Sequence, residues 1–187
     1  MRSIASRCSV LMTVVLAAGC SMTAPQYSAS LSNVQTLKDS GSNTAKVGHF
    51  DSSGDSGNAN PISLRGSSLD SPYEKSYAKY LEEALTQELS LAGKLAPDAR
   101  VEISGVLQKN DISIPAVGDG YGDLQARFAV KKGSATTYDK VKSIHDTWES
   151  SFVGAVAIPR AQEQYPKLVQ KLLAELYADP EFLNAIK

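Results

Sequence analysis

Apolar residues at Tyr165, Leu168, Val169, Leu172, Leu173, Leu176 and Tyr177 repeat with the i, i+3, i+4, i+7 spacing of an amphipathic helix. Asp179-Pro180-Glu181 follows, with an N-cap residue and a proline at the first helical position. A short terminal helix is predicted there, closing over the core with Phe182, Leu183 and Ile186. A second helical stripe runs from Tyr73 to Leu95 through Tyr77, Tyr80, Leu81, Ala84, Leu85, Leu91 and Ala92. Ser71 before Pro72 reads as its cap, Glu74 sits in its first turn, and Gly93 and Pro97 end it.

Between the helices the period changes from 3.6 to 2. Arg100 to Gln108 places Val101, Ile103 and Leu107 on one face and Val106 on the other. Leu124, Ala126, Phe128 and Val130 alternate with Gln125, Arg127 and Lys131, as a half-buried strand requires. Thr136 to Phe152 reads as one long strand carrying Tyr138, Ile144, Trp148 and Phe152 on one parity, joined to its predecessor by a turn at Lys132-Gly133-Ser134. Ala45 to Phe50 is a candidate first strand. The order strand, helix, three strands, helix, short helix predicts an α+β two-layer sandwich, with the helices on one face of a small mixed sheet. If the first strand pairs in parallel across the first helix, the crossover should be right-handed.

The N-terminal third lacks this periodicity. Arg2 and Arg7 precede an uncharged, mostly apolar run from Cys8 to Ala18, about half the roughly 20 residues that span a bilayer as a helix and the right length for a cleaved signal. Leu16-Ala17-Ala18-Gly19-Cys20 resembles the lipobox of bacterial lipoproteins, with Ala17 where Leu is commonest. The resemblance implies a signal peptide over residues 1–19, cleavage before Cys20, and a diacylglyceryl group on its sulfur followed by acylation of the new amino terminus. Ser21, in the place where Asp would favour inner-membrane retention, implies transfer to the outer membrane.

Residues 20–44 read as the lipid anchor and a flexible Ser-, Ala- and Thr-rich tether. The remaining 45–187 read as a single periplasmic domain. Within it, residues 51–66 read as a disordered loop, since nine of the ten residues from Asp51 to Asn60 are Asp, Ser, Gly or Asn.

Charge and cysteine content narrow the partners. Among the 187 residues, 42% are hydrophobic and 21% charged, ordinary values for one globular domain. Loss of Arg2 and Arg7 leaves 17 of the 19 basic residues against 20 acidic ones, a formal charge of −3. A mildly acidic chain without a basic stripe is not expected to bind nucleic acid. The two cysteines are Cys8, in the signal, and Cys20, capped as a thioether, so no thiol remains to form a disulfide in an oxidising compartment.

The lipobox, the polar tether, Ser71-Pro72-Tyr73 entering a helix, the stretch Trp148-Glu149-Ser150-Ser151-Phe152-Val153-Gly154 before a long helix, and Asp179-Pro180-Glu181-Phe182 together resemble the YajG-like lipoproteins of Proteobacteria. That family offers no established catalytic residue to carry over. In layout the chain is also similar to periplasmic lipoproteins that assist outer-membrane assembly or serve lipid-exporting ABC systems.

No constellation for catalysis is legible. His49 and His145 are the only histidines, and in a strand His145 and Asp146 point to opposite faces. A zinc site needs three or four ligands with two closely spaced, and neither histidine has such a companion. Asp51 and Asp55 are hard oxygen ligands but match no calcium-loop spacing. Gly118-Asp119-Gly120-Tyr121-Gly122-Asp123 precedes a strand instead of a helix, so it reads as a hairpin connection and not a phosphate loop.

Tyr73, Tyr77 and Tyr80 could wall a ligand or simply pack the core. Lys131, Lys132, Lys140 and Lys142 could meet lipid headgroups or a protein, or form a solvated edge that discourages aggregation.

The expectation is a non-enzymatic interaction or accessory module of the cell envelope, lipid-anchored at Cys20 on the periplasmic face of the outer membrane. Its partners would be the membrane and an envelope protein, with no cofactor and no metal. The alternative is a lipid- or small-ligand-binding auxiliary lipoprotein of an envelope transport or assembly system.

Overall fold

The structure, a computed structural model, describes residues 21–187. The predicted signal peptide and Cys20 lie outside the described residues. In chain order the elements are β1 (Ser21–Thr23), α1 (Leu31–Asp39), β2 (Lys46–Ser52), β3 (Ile62–Leu64), β4 (Ser67–Asp70), α2 (Tyr77–Leu91), β5 (Val101–Ser113), β6 (Gly120–Lys132), β7 (Ala135–Trp148), α3 (Gly154–Tyr177) and α4 (Pro180–Ala185).

The main sheet has the order β2-β5-β6-β7, with β2 parallel to β5 across α2 and the other pairs antiparallel. Helices α2 and α3 lie on one face, which gives the predicted α+β sandwich. Val101, Ile103 and Leu107 of β5 and Leu124, Ala126, Phe128 and Val130 of β6 are buried beneath them. A bulge between Leu107 and Lys109 shifts the alternation by one, so Asn110, Ile112 and Ile114 continue the buried row. Glycines make room for large neighbours: a Cβ on Gly105 would collide with the ring of Phe50, and one on Gly122 with Leu168.

A cluster of tyrosines fills the space between α2, α3 and the N-terminal segment. Tyr80 packs its ring against those of Tyr27, Tyr73, Tyr77 and Tyr165 at centroid distances of 5.0–6.4 Å. Each hydroxyl finds a partner inside the protein. Tyr77 donates to the Leu69 carbonyl (2.8 Å), Tyr80 to the Pro25 carbonyl (2.9 Å), and Tyr165 to Asn110 Oδ1 (3.0 Å). Tyr27 donates to Glu88 (2.6 Å), and the Tyr73 hydroxyl accepts the Tyr27 amide (3.1 Å).

Five expectations need correction. The segment read as a tether is folded: β1 pairs with β4, Ser30 caps α1, and Ala24, Tyr27, Val34 and Leu37 are buried. What draws it in is Glu88 of α2, a fully buried carboxylate whose Oε1 accepts from Tyr27 Oη, the Ser30 amide (3.0 Å) and Asn33 Nδ2 (3.1 Å). A carboxyl taken out of water needs such partners, and this segment supplies the three that meet Oε1.

The loop read as disordered over 51–66 includes the end of β2, all of β3, and a stretch pinned by two asparagines. Asn58 Nδ2 donates to the Ser53 and Leu107 carbonyls, and buried Asn110 Nδ2 to the Ala59 carbonyl (2.7 Å). Side-chain amides replace the apolar contacts its composition lacks.

The first long helix starts at Ser76, which accepts the Lys79 amide, because Glu74 and Lys75 have φ of +52° and +56° and break the turn. Ser71 instead bonds the Tyr73 amide. Finally, the single mixed sheet is joined by a second one of order β1-β4-β3, and the last strand ends at Trp148, leaving Phe152 in the loop before α3.

At the other end of the chain Asp179 caps α4 through the Glu181 amide (2.9 Å). Its second oxygen accepts from Lys142 (2.7 Å) and Tyr138 (3.0 Å) on β7. The Lys142 bond is the main cause holding this carboxyl far below the usual carboxylate range.

Replacing Gly105 with Val should destabilise the fold by about 1–3 kcal/mol in urea unfolding, as overpacking against Phe50 does. Burial raises the Glu88 carboxyl above its ordinary value, and the bonds from Tyr27, Ser30 and Asn33 only partly offset that. Its contribution is therefore full below the ordinary carboxyl pKa and is lost as pH rises through the raised value. Glu88→Gln keeps an acceptor for the three donors and should abolish this alkaline loss. Glu88→Ala should cost roughly 3 kcal/mol by leaving them unpaired. Urea midpoints across pH distinguish the two.

Candidate interaction surface

Strand alternation divides the main sheet into a helix-covered face and an open one. The open face carries Glu102, Ser104 and Val106 of β5, Tyr121, Asp123, Gln125, Arg127 and Ala129 of β6, and Asp139, Val141, Ser143 and His145 of β7. All are partly or fully exposed, and no described element covers them. His49 and Asp51 border this face on β2 and are 3.0 Å apart.

Two polar arrangements organise it. Arg127 grips Asp139 across the β6–β7 ladder through Nε (2.6 Å) and a second guanidinium nitrogen (2.5 Å). Asp123 lies directly opposite His145 and is bonded to its Nδ1 (2.8 Å), while Lys109 reaches the other oxygen (3.1 Å). Partial burial pushes the Asp123 carboxyl upward, but the bonds from His145 and Lys109 outweigh it and leave the pKa below the ordinary value.

His145 is thus an exposed residue on an edge strand, and Asp146, on the opposite face as strand alternation requires, points away from it toward Lys171 of α3. The carboxylate that meets His145 is one that sequence adjacency could not reveal, because the partner comes from register. The pair opens on a hollow of about 360 Å³ that also includes Ser143, yet no hydroxyl among the described residues bonds the imidazole. His49 stands three strands away and, by register, level with the Asp139–Lys140 end of β7, well over about 14 Å from His145 at the usual strand spacing. Among the described residues no three His, Cys, Asp or Glu side chains converge as a metal set.

The basic cluster divides into two pairs with different surroundings. Lys140 and Lys142 turn toward α4 and pair with Asp179, Lys140 also with Glu181. Lys131 and Lys132 instead line a hollow of about 460 Å³ with Lys46, Arg100 and Glu102 at the β6–β7 turn. Within that hollow Lys46 is paired to Glu102 at 3.0 Å. Tyr73, Tyr77 and Tyr80 belong to the core packing described above. Gly120 and Gly122 lie inside β6 and only Gly118, with φ of +98°, serves the connecting loop. No helix among the described residues is long and apolar enough to cross a membrane.

The chain matches no family model and no curated protein sequence. It is similar in structure to protein XCC0632 of Xanthomonas campestris, assigned to the family DUF330, with a TM-score of 0.55 and 10% identity over 84% of this chain and 89% of that one. It is also similar to the hypothetical protein CT253 of Chlamydia trachomatis, with a TM-score of 0.50 and 11% identity over 78% and 99% of the two chains. A "putative lipoprotein" of Caulobacter crescentus CB15 aligns with a TM-score of 0.48 and 10% identity over 82% and 96%. At these identities the first two likenesses are of fold.

Arg127→Ala should leave the urea midpoint without a measurable change, since an exposed ion pair adds little to stability. A clear loss would mean that this pair is structural and not part of a free surface.

Proposed function

We propose that this chain is a lipoprotein of the bacterial cell envelope, fixed by acylated Cys20 to the periplasmic face of the outer membrane, and that it acts without catalysis as an interaction or accessory module. The observation that carries the reading is Leu16-Ala17-Ala18-Gly19-Cys20 behind a basic and apolar leader. Cysteine usage supports it, because Cys20 is the only thiol left after cleavage and has no disulfide partner. Ser21 supports the outer membrane. Two or more acyl chains hold a protein stably where one does not. The Trp148–Gly154 and Asp179–Phe182 motifs support placing the chain beside the YajG-like lipoproteins.

The open sheet face supports the interaction role. It displays Arg127, Asp139, Val141 and His145 on a rigid three-strand platform, with both charge signs and an exposed apolar side chain, a suitable surface for a protein partner. The ligand-binding alternative was motivated by the tyrosine stripe, and those rings are occupied with one another.

Cys20→Ser should move the protein from the membrane to the soluble periplasmic fraction and abolish palmitate labelling. Continued membrane fractionation of the variant would sink the anchor. In vivo photo-crosslinking from Val141 should yield a discrete envelope adduct, and its absence across growth conditions would count against the docking role.

A further inference from the structure

We infer that one end of the domain, formed by the β5–β6 loop and the loop before α3, inserts apolar tips into the bilayer that holds Cys20. This rests on the lipid-anchor reading above and adds a second, non-covalent membrane contact with a defined orientation.

The observations begin at Arg65, in the β3–β4 turn. Its guanidinium donates to the carbonyls of Ile114 (2.8 Å) and Pro115 on one loop, and of Ser151 (3.0 Å) and Phe152 (2.9 Å) on the other. One side chain therefore holds the two loops side by side. The tips they present are the most exposed large apolar residues of this end: Val117 (86%), Phe152 (78%), Val153 (55%) and, in the first turn of α3, Val156 (40%). Single exposed apolar residues are ordinary on protein surfaces, but four gathered at one end are not.

The chain enters the domain at the same end. β1 runs parallel to β4 with Ser21 opposite Ser68, so its first residue lies beside the start of β4, a few residues past the Arg65 turn. Three residues of chain, folded in the turn, keep Arg65 and Ser68 within at most about 10 Å of each other. The direction of α3 agrees, because Gln162 donates to the Thr23 carbonyl and Val153 and Val156 lie further toward the helix start. Ser21 is pinned by its hydroxyl bond to Asp70 (2.6 Å), and the Ala24 amide bonds the Asp70 carbonyl (2.8 Å).

Cys20 is one peptide bond from Ser21, roughly 3.8 Å between Cα atoms, and no slack intervenes. Acyl chains on Cys20 therefore bring the bilayer to this end, where valine and phenylalanine tips match the acyl boundary. The loops' acidic residues, Asp119 and Glu149, make the contact one of apolar insertion and not attraction to anionic headgroups.

The test uses the full acylated protein in vesicles of phosphatidylethanolamine and phosphatidylglycerol, with single cysteines introduced as Val117→Cys, Phe152→Cys and Ser134→Cys and labelled with an environment-sensitive fluorophore. All three sites are exposed, so folding is retained, and Ser134 lies in the turn at the opposite end of β6 and β7. Blue-shifted emission and quenching by spin-labelled lipid at 117 and 152, but not at 134, are expected. With acylation of Cys20 verified by mass spectrometry, equal and unquenched emission at all three sites overturns the insertion while leaving the anchor intact. Protection of 117 and 152 by a bound protein without lipid quenching overturns it too. Absence of the acyl modification overturns the anchor reading and the inference with it.

Discussion

The fold depends on a requirement of buried phenols: a tyrosine removed from water must find a partner for its hydroxyl without giving up ring packing. Here the rings converge on Tyr80 while the hydroxyls radiate outward, and each reaches a different peripheral segment. Tyr77 reaches β4, Tyr80 the chain at Pro25, Tyr165 the bulge at Asn110, and Tyr27 the carboxylate of Glu88. The hydrophobic cluster thereby acts as a directional device. It decides where the N-terminal segment, the second sheet and the loop after β2 must lie.

The long elements were legible because periodicity reports them directly. The α3 stripe, the β6 alternation, the Gly133-Ser134 turn and the Asp179-Pro180 cap all correspond to elements of the structure. What escaped is held by polar side chains acting over long sequence separations. Nothing local in Ser21–Ser42 reveals that Tyr27, Ser30 and Asn33 answer a glutamate some 55 to 61 positions later. The 51–66 loop likewise looks empty of core residues, because the amides of Asn58 and Asn110 do the ordering. The helix start at Ser76 was hidden by Ser71-Pro72, a sound cap signal that the left-handed pair Glu74 and Lys75 overrides.

The site was partly legible. Alternation put His145 and Asp146 on opposite faces of their strand, yet the pairing of His145 with Asp123 depends on the β6–β7 register. Sequence also grouped four lysines that the structure gives different partners. The β7 pair Lys140 and Lys142 reaches Asp179 at the cap of α4, while Lys131 and Lys132 at the end of β6 stay exposed.

The continuity of β1 with the domain carries a mechanical meaning. Tension applied to the chain at Ser21 would run along β1 and load its ladder to β4 in shear, so its bonds would share the force instead of breaking one by one. Behind that short ladder stands the Glu88 clamp, which would yield next. A chain held this way resists a steady pull at its first residue yet offers a graded order of release, strand before helix, with the main sheet untouched.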